Sequence, residues 1–243
     1  MNIKLIVSYD GSSYHGFQIQ PQASTVEGVL KNAIEDTVKH EIKLYTAGRT
    51  DSGVHAMGQC VNFYSETTIN IGNLPKVINF HLPDDISVVG ASYVDDDFHA
   101  RYSAKGKYYR YVIYRGKYRN PLYRNRAMHF PYELNLKKMQ STLNYLIGEN
   151  DYKTFMGRHA IVKDTIRRID KIEVVEDGDF IYIDFYGKSF LKNMVRIIVG
   201  TAVEIARGRF EEEYMKYALN KKHRKAAGPT APSYGLYLMK IYY

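Results

Sequence analysis

A loop in this 243-residue chain places a guanidinium, a carboxylate and an imidazole within seven consecutive residues. These groups belong to Arg49, Asp51 and His55, and Gly48 and Gly53 stand on either side of Asp51. Glycines let a backbone turn sharply and approach a ligand closely, and a carboxylate can act as a nucleophile or a general base. An aspartate in a glycine-rich loop is nevertheless more often a turn former or helix cap. Judged by spacing alone, Asp51 would therefore be a structural residue, and His55 fits a structural hydrogen-bonding residue better than a general base.

A second segment combines basic and aromatic side chains. Residues 101–126 contain nine lysines and arginines, seven tyrosines and no aspartate or glutamate. The cations can neutralise phosphates and the tyrosine rings can stack on bases or sugars, so the segment predicts contact with RNA. The competing interpretation is a solvated edge strand with its tyrosines half in the core. A further basic cluster at residues 221–225 fits either RNA contact or an exposed loop.

The spacing of residues argues against two other kinds of site. A metal-dependent hydrolase needs histidines at ligand spacing, whereas the histidines here are scattered singly. This applies to His15, His55, His81, His99, His129, His159 and His223. Gly11 and Gly16 superficially resemble a phosphate-binding loop, but Phe17 stands where the required lysine would be. We therefore expect neither a metal nor a nucleotide cofactor.

The composition favours a globular protein with a polyanionic partner. The formal charge is +8, from 34 Lys and Arg against 26 Asp and Glu, and 45% of the residues are hydrophobic. A single cysteine, Cys60, excludes an internal disulfide framework. The apolar run at residues 3–7 is too short to span a membrane and lacks the features of a secretory signal. We therefore expect a cytoplasmic protein that does not contact membranes.

The elements that must position these loops are predicted from periodicity. Alternating residues predict a strand at 3–9, and Ser24-Thr25-Val26-Glu27 fits a capping box at the start of a helix. Apolar residues at three- and four-residue steps continue that helix to Val38. The other elements predicted in this half are strands at 42–47, 59–64 and 86–94 and a helix at 73–80.

The C-terminal half repeats this scheme. It is predicted to contain strands at 108–115, 166–175, 180–186 and 235–242 and helices at 136–147, 190–207 and 211–219. The 190–207 helix carries its apolar residues along one stripe, with Arg196 off it. We therefore predict an α+β fold of two similar halves, residues 1–103 and 104–243, each with helices packed on an antiparallel-rich sheet. A cleft between such halves is the expected place for an active site.

The stretch Gly48-Arg49-Thr50-Asp51-Ser52-Gly53-Val54-His55 resembles the signature of the tRNA pseudouridine synthase A family. Further segments resemble that family's other motifs, in the same order along the chain. They are Tyr9-Asp10-Gly11 with Tyr14 and Gly16, Phe98-His99-Ala100-Arg101-Tyr102-Ser103-Ala104 with Tyr109-Arg110-Tyr111, Phe190 with Met194-Val195-Arg196 and Val199-Gly200, and Ala231-Pro232 with Gly235-Leu236-Tyr237-Leu238. The resemblance spans nearly the whole chain and implies the pseudouridine synthase fold.

The resemblance also implies roles for particular residues. Asp51 matches the family's essential aspartate, which acts on the target nucleoside. Tyr109 matches an active-site tyrosine that lies against the uracil, and Arg196 matches an arginine that pairs with the aspartate. Leu236 matches an apolar wall of the base pocket, and Arg49 is expected to help flip or hold the nucleotide. By position alone, Tyr109 would be a core strand residue and Arg196 a solvent-facing helix residue.

The implied reaction needs no cofactor. Uracil is detached from C1′ of its ribose, rotated, and rejoined through C5, with no net redox change and no energy input. Asp51 could attack C1′, add to C6 or remove the C2′ proton, and the sequence does not choose among these routes. A guanidinium such as that of Arg196 would keep the carboxylate ionised, and the Tyr109 ring would hold the free uracil. The target base must first leave its stack, at a cost of roughly a few kcal/mol.

The resemblance further implies tRNA as substrate, uridines 38 to 40 of the anticodon arm as targets, and a homodimer that holds one tRNA across both subunits. Phe17 departs from the family, which commonly has tryptophan there, and Gly148-Glu149-Asn150-Asp151-Tyr152 varies another motif. Both departures leave the nucleophile untouched. The main alternative is a non-catalytic RNA-binding protein on the same fold, which predicts that Asp51→Ala leaves function intact.

Overall fold

The chain forms two α+β units, which are seen in a computed structural model that describes residues 1–158 and 162–243. The first unit comprises Met1–Lys105 and Tyr237–Tyr243, and the second comprises Gly106–Leu236. The sequence placed a division at residue 104 and assigned the whole C-terminus to the second half. The last strand instead groups with the first unit, because Tyr237 and Leu238 pair with His55 and Ala56.

The sheet of the first unit is centred on β1 (Asn2–Tyr9), which is antiparallel to both β3 (His55–Tyr64) and β4 (Ile86–Val94). Alternate residues of β1 point into the core, as the sequence pattern predicts. The two-residue strand β2 (Tyr45–Thr46) pairs antiparallel with the second half of β3. The last strand, β10 (Leu236–Tyr242), lies parallel to the start of β3.

Two helices complete the first unit, α1 (Val26–Val38) and α2 (Leu74–Phe80). The helix start predicted at residues 24–27 is correct, but the capping box does not form. Thr25 is the N-cap, and its hydroxyl accepts a hydrogen bond from the Gly28 amide at 3.4 Å. The Glu27 carboxylate accepts instead from the Ile19 amide at 2.9 Å. Glu27 therefore ties the preceding loop to α1.

The sheet of the second unit has the order β5-β9-β8-β7, with antiparallel neighbours throughout. Its strands are β5 (Gly106–Tyr114), β7 (Gly148–Asp151), β8 (Ile166–Asp177) and β9 (Phe180–Gly187). A two-residue strand, β6 (Met128–His129), lies parallel to the end of β5. The sequence did not predict β6 or β7, because strands of two and four residues are too short to show a period.

The helices of the second unit are α3 (Leu136–Asn144), α4 (Met194–Ala206) and α5 (Tyr214–Lys221). The Gln140 side chain ties α3 to β8 by donating to Ile172 O at 3.1 Å and accepting from the Val174 amide at 2.8 Å. Helix α4 is buried almost all round, not along one stripe as predicted, and it begins later because Asn193 adopts a φ of 58°. Among the described residues, no helix is both long and apolar enough to cross a membrane.

Candidate active site

The loop that carries Asp51 joins β2 to β3 and is anchored at both ends; residues 47–55 are called the Asp51 loop below. The Ala47 amide donates to Cys60 O at 2.9 Å, and the Gln59 side chain donates to Gly48 O at 2.8 Å. The loop closes on itself where the Val54 amide donates to Asp51 O at 3.1 Å. Gly53 provides the turn with a φ of 75°. Asp51 is consequently held at a tight, half-buried bend.

The turn that follows β1 packs against the Asp51 loop and is hydrogen-bonded to it. The Phe17 amide donates to Thr50 O at 3.1 Å, and the Ser52 hydroxyl donates to Tyr14 O at 3.1 Å. This contact is backbone against backbone, because a Cβ at Gly11 would lie 2.0 Å from Val54 O. The segment from Gly11 to Gly16, which superficially resembles a phosphate-binding loop, therefore packs against the Asp51 loop and supports it.

A buried tyrosine fixes the residue next to Asp51. The hydroxyls of Tyr9 and Thr50 are hydrogen-bonded at 2.8 Å, and the Tyr9 ring packs on Phe17 with centroids 6.0 Å apart. Burial raises the pKa of the Tyr9 hydroxyl well above its usual value, against the opposing effect of hydrogen bonds to Thr50 and Gln59. Tyr9 therefore stays neutral and serves as an anchor.

His55 links the Asp51 loop to the same turn. Its ring is 2% exposed and stacks on Tyr237 with centroids 4.7 Å apart. Its Nδ1 lies 3.1 Å from both the Gly11 amide and an Asp10 carboxylate oxygen. These two contacts require different protonation of Nδ1. We favour donation from the buried Gly11 amide, because that oxygen of Asp10 already accepts from the Ser12 amide and hydroxyl. His55 thus has the structural role that its sequence position suggested.

Arg49 lies in the Asp51 loop beside the candidate carboxylate, with an exposed side chain. Its neighbour Thr50 is buried at 7% exposure. The anchoring side chain of Thr50 therefore points inward while that of Arg49 extends into solvent. This arrangement makes Arg49 available to a ligand without contributing to the core.

Three of the predicted site residues belong to the second unit. Tyr109 lies on β5, is 8% exposed, and meets the Phe190 ring edge-on with centroids 5.2 Å apart. Arg196 lies in the first turn of α4, and Leu236, 6% exposed, begins β10. The structure therefore places Asp51 and Arg49 in one loop of the first unit, and Tyr109, Arg196 and Leu236 in the second.

The Arg196 guanidinium is held by neighbouring oxygens. Its Nε donates to Ala231 O at 2.8 Å and its Nη1 donates to Asn193 Oδ1 at 2.8 Å. The Ala231 amide donates back to Arg196 O at 3.0 Å. The orientation of the Arg196 side chain is consequently fixed by Ala231 and Asn193. The apolar stripe predicted for the 190–207 helix gave no indication of these contacts.

Residues 101–126 divide into a structural part and an exposed part. Arg110 forms two hydrogen bonds of 2.7 Å to the buried Asp184, and Arg115 pairs with Glu176. Tyr111 is fully buried, whereas Tyr118 is 74% exposed. The strand portion is therefore structural, although it is not the solvated edge strand of the competing interpretation, and RNA contact by the exposed portion stays a prediction.

No metal centre can be assembled from the described part of the chain. Residues 1–158 and 162–243 contain no group of three or more His, Cys, Asp or Glu side chains able to hold an ion. His159, one of the scattered histidines, lies outside the described residues.

The residues that sequence reasoning passed over are the supports of the Asp51 loop, chiefly Tyr9, Gly11 and Phe17. Their place in the opening motif was the available indication.

Comparison with known proteins identifies the class to which this fold and loop belong. The profile of a family described as "tRNA pseudouridine synthase" matches residues 5–103 and 143–243. The chain therefore belongs to the tRNA pseudouridine synthase family, and the predicted isomerase class and pseudouridine synthase fold are confirmed.

Full-length relatives refine the assignment within that family. Proteins named "tRNA pseudouridine synthase A" from Thermoanaerobacter sp. (strain X514), Bacillus licheniformis and Acetivibrio thermocellus are 44%, 41% and 39% identical to this chain, over 242, 245 and 242 residues. Each alignment covers 100% of this chain and 99% of the relative. The resemblance to the tRNA pseudouridine synthase A family is thereby confirmed.

Among solved structures, a chain of an archaeal box H/ACA sRNP Nop10-Cbf5 complex aligns with 93% of this chain and 60% of its own length. The TM-score is 0.38 and the sequence identity 13%, values too low to support an argument.

The anchoring role of His55 predicts a loss of stability on truncation. In His55→Ala the buried Gly11 amide loses its acceptor and Tyr237 loses its stacking partner. The free energy of unfolding should fall by about 2–4 kcal/mol. Chemical denaturation measures this, with His81→Ala as control, since His81 is exposed and should change stability by no more than about 0.5 kcal/mol. Equal stability of the two variants would contradict the role.

Proposed function

We propose that this protein isomerises uridine to pseudouridine in the anticodon arm of tRNA, at positions 38 to 40, with Asp51 as the catalytic carboxylate. The observation that carries the proposal is the construction of the Asp51 loop. Buried contacts at Thr50 and His55 fix the backbone on both sides of a half-buried carboxylate. Such preorganisation is what a positioned catalytic group needs.

The reaction can be balanced with groups of this chain alone. The C1′–N1 bond breaks and a C1′–C5 bond forms, while C5 loses a proton and N1 gains one. Asp51 attacks C1′, adds to C6 or removes the C2′ proton, and these routes remain alternatives. Because atoms and electrons balance within the nucleoside, the reaction calls for no redox partner or nucleotide.

The other proposed site residues bind the substrate. Tyr109 presents its ring to the uracil, supported by its edge-on contact with Phe190. Arg196 offers a guanidinium oriented by Ala231 O and Asn193. Leu236 contributes an apolar wall, and Arg49 helps to hold the flipped nucleotide. For Arg49, Arg196 and Leu236, an unchanged KM for tRNA in the alanine variant would argue against the assigned role.

We further propose that the N-terminal and C-terminal parts of the chain have different roles. The N-terminal part carries the catalytic carboxylate on the Asp51 loop. The C-terminal part supplies Tyr109, Arg196 and Leu236 to the uridine pocket, together with RNA-binding surface. Variants of the C-terminal residues should then alter KM more than variants of exposed residues elsewhere in the same unit.

The first test replaces the proposed nucleophile. Asp51→Asn keeps the size of the side chain and removes its charge. Release of tritium from tRNA labelled at uridine C5 should fall by at least about 1,000-fold, with tRNA affinity retained. Asp36→Asn, an exposed carboxylate on α1, is the matched control and should behave as wild type. Tight tRNA binding without any release by the wild type would instead support the RNA-binding alternative.

The second test separates the ring of Tyr109 from its hydroxyl. We propose that the Tyr109 hydroxyl takes part in proton transfer at C5. Tyr109→Phe removes this hydroxyl and keeps the contact with Phe190. Tritium release should drop by about 100-fold while the affinity for tRNA is kept. Tyr118→Phe, at a 74% exposed tyrosine, should change neither quantity. A fully active Tyr109→Phe enzyme would rule out the proton-transfer role.

We propose that the active form is a homodimer, as the family resemblance implies, with basic surface on one subunit gripping a tRNA whose target uridine lies in the other. Light scattering at micromolar concentration should then give the mass of two chains. A monomer with full tritium-release activity would refute this.

We also propose that the protein works in the cytoplasm. The basis is the tRNA substrate of the family and the single cysteine, Cys60, which suits a reducing compartment. Cell fractionation should recover the activity in the soluble fraction, and recovery in the membrane pellet would refute the proposal.

A further inference from the structure

A cavity of about 670 Å³ in the second unit has a strongly basic lining. Its walls come from the chain around residues 157–158, 192–193, 204–210 and 224–230. Among the described residues that line it are five cationic side chains and one carboxylate. These are Arg158, Lys192, Arg209, Arg224, Lys225 and Glu204. The sequence analysis marked only the basic cluster at residues 221–225, which supplies Arg224 and Lys225, because the lining as a whole is scattered over more than seventy positions.

The positive charge of the cavity is largely uncompensated. Glu204 pairs with Arg209 at 3.0 Å and lies 3.4 Å from Arg207, so its charge is already engaged. Within residues 1–158 and 162–243, no carboxylate lies at ion-pair distance from the side chains of Arg158, Lys192, Arg224 or Lys225. By contrast, Arg110 and Arg115 of the same unit each have a carboxylate partner. The cavity therefore concentrates cations without the usual partners.

Arg224 is built into the cavity in a fixed orientation. Its Nη1 donates to Gly228 O at 3.0 Å and its Nη2 donates to the Thr230 hydroxyl at 3.0 Å. Burial lowers the pKa of Arg224, and the positive charge of Arg158 lowers it further. Two guanidinium groups thus repel each other, and no described carboxylate lies at ion-pair distance from either of them. An anion bound between them would replace this repulsion with two attractions.

The wall that carries Arg224 is held rigidly against α4. A Cβ at Gly200 would lie 1.9 Å from Pro229 O, so only glycine permits this approach of loop to helix. The Gly228 amide donates to the Thr201 hydroxyl at 2.9 Å, which fixes the loop from the other side. This wall of the cavity is therefore preorganised, and a ligand would bind without ordering it.

We propose that this cavity binds phosphodiester groups of the tRNA backbone, an inference that rests on the proposed function. A fixed guanidinium fork such as that of Arg224 matches the geometry of phosphate oxygens. Four of the cations, those of Arg158, Lys192, Arg209 and Lys225, belong to exposed residues, so a polymer can reach them from the surface. The lining ring of Phe210 is stacked on Tyr214 with centroids 4.0 Å apart, which leaves phosphate rather than a base as the recognised group.

The test removes two cations that hold no structure in place. Arg158 and Lys225 make no side-chain hydrogen bond or ion pair in the described part of the chain, so Arg158→Gln with Lys225→Gln should fold as wild type. Lys137→Gln with Lys216→Gln is the matched control, since it removes the same charge from exposed positions on α3 and α5.

The cavity variant should bind tRNA about 10-fold more weakly than the control at fixed salt. Its slope of log K against log salt concentration should be shallower by about one to two. At saturating tRNA its kcat should match that of the control, because neither residue takes part in the chemistry. Equal Kd values and equal salt slopes for the two variants would overturn the proposal.

Two further measurements distinguish failure of the proposed function from failure of the cavity proposal, and phosphate groups of tRNA from free phosphate. Tritium release by the wild type reports the proposed function independently, so an inactive but tRNA-binding wild type would refute that function and leave the cavity testable by Kd. Calorimetric titration with inorganic phosphate tests the other source of the same chemistry. Micromolar phosphate binding that the cavity variant loses, with tRNA affinity unchanged, would identify a free-anion site and overturn the assignment to tRNA.

Discussion

Close backbone contact between two turns holds the Asp51 loop in place. A side chain at Gly11 would collide with Val54 O, and one at Gly16, whose φ is 90°, would come within 3.0 Å of Thr50 O. Glycine at both positions lets the turn after β1 lie directly under the loop and donate a hydrogen bond to it. Since β1 is itself paired on both edges, the position of Asp51 depends on the whole first sheet.

The anchors and the proposed chemistry use different residues of one short loop. The Thr50 side chain is hydrogen-bonded to Tyr9, and the His55 ring is stacked on Tyr237. Arg49, in contrast, is exposed and Asp51 is half-buried. A polar loop without buried anchors would sample many conformations, and ordering it would cost about 1–2 kcal/mol per residue. Here folding has already fixed the backbone, so binding of a substrate need not do so. The loop can therefore carry a carboxylate at a defined place.

The sequence predicted what depends on local pattern and missed what depends on distant pairing. Strand β4 and the starts of α1 and α3 follow from periodicity and capping, whereas the Asp51 loop was singled out by its resemblance to a family signature. The grouping of β10 with the first unit depends on Tyr237 lying opposite His55, which no local pattern encodes. The burial of α4 on all sides likewise depends on packing partners that a single stripe does not reveal.

The same distinction applies to charge. A run of nine cations at residues 101–126 looked like the strongest sign of RNA contact, yet Arg110 and Arg115 within it are neutralised by Asp184 and Glu176. The cavity around Arg224 draws its cations from separate segments and leaves most of them uncompensated. Attraction for a polyanion follows from unpaired charge, because a paired guanidinium must exchange one partner for another. The placement of carboxylates, more than the density of cations along the chain, therefore decides which basic surface can grip RNA.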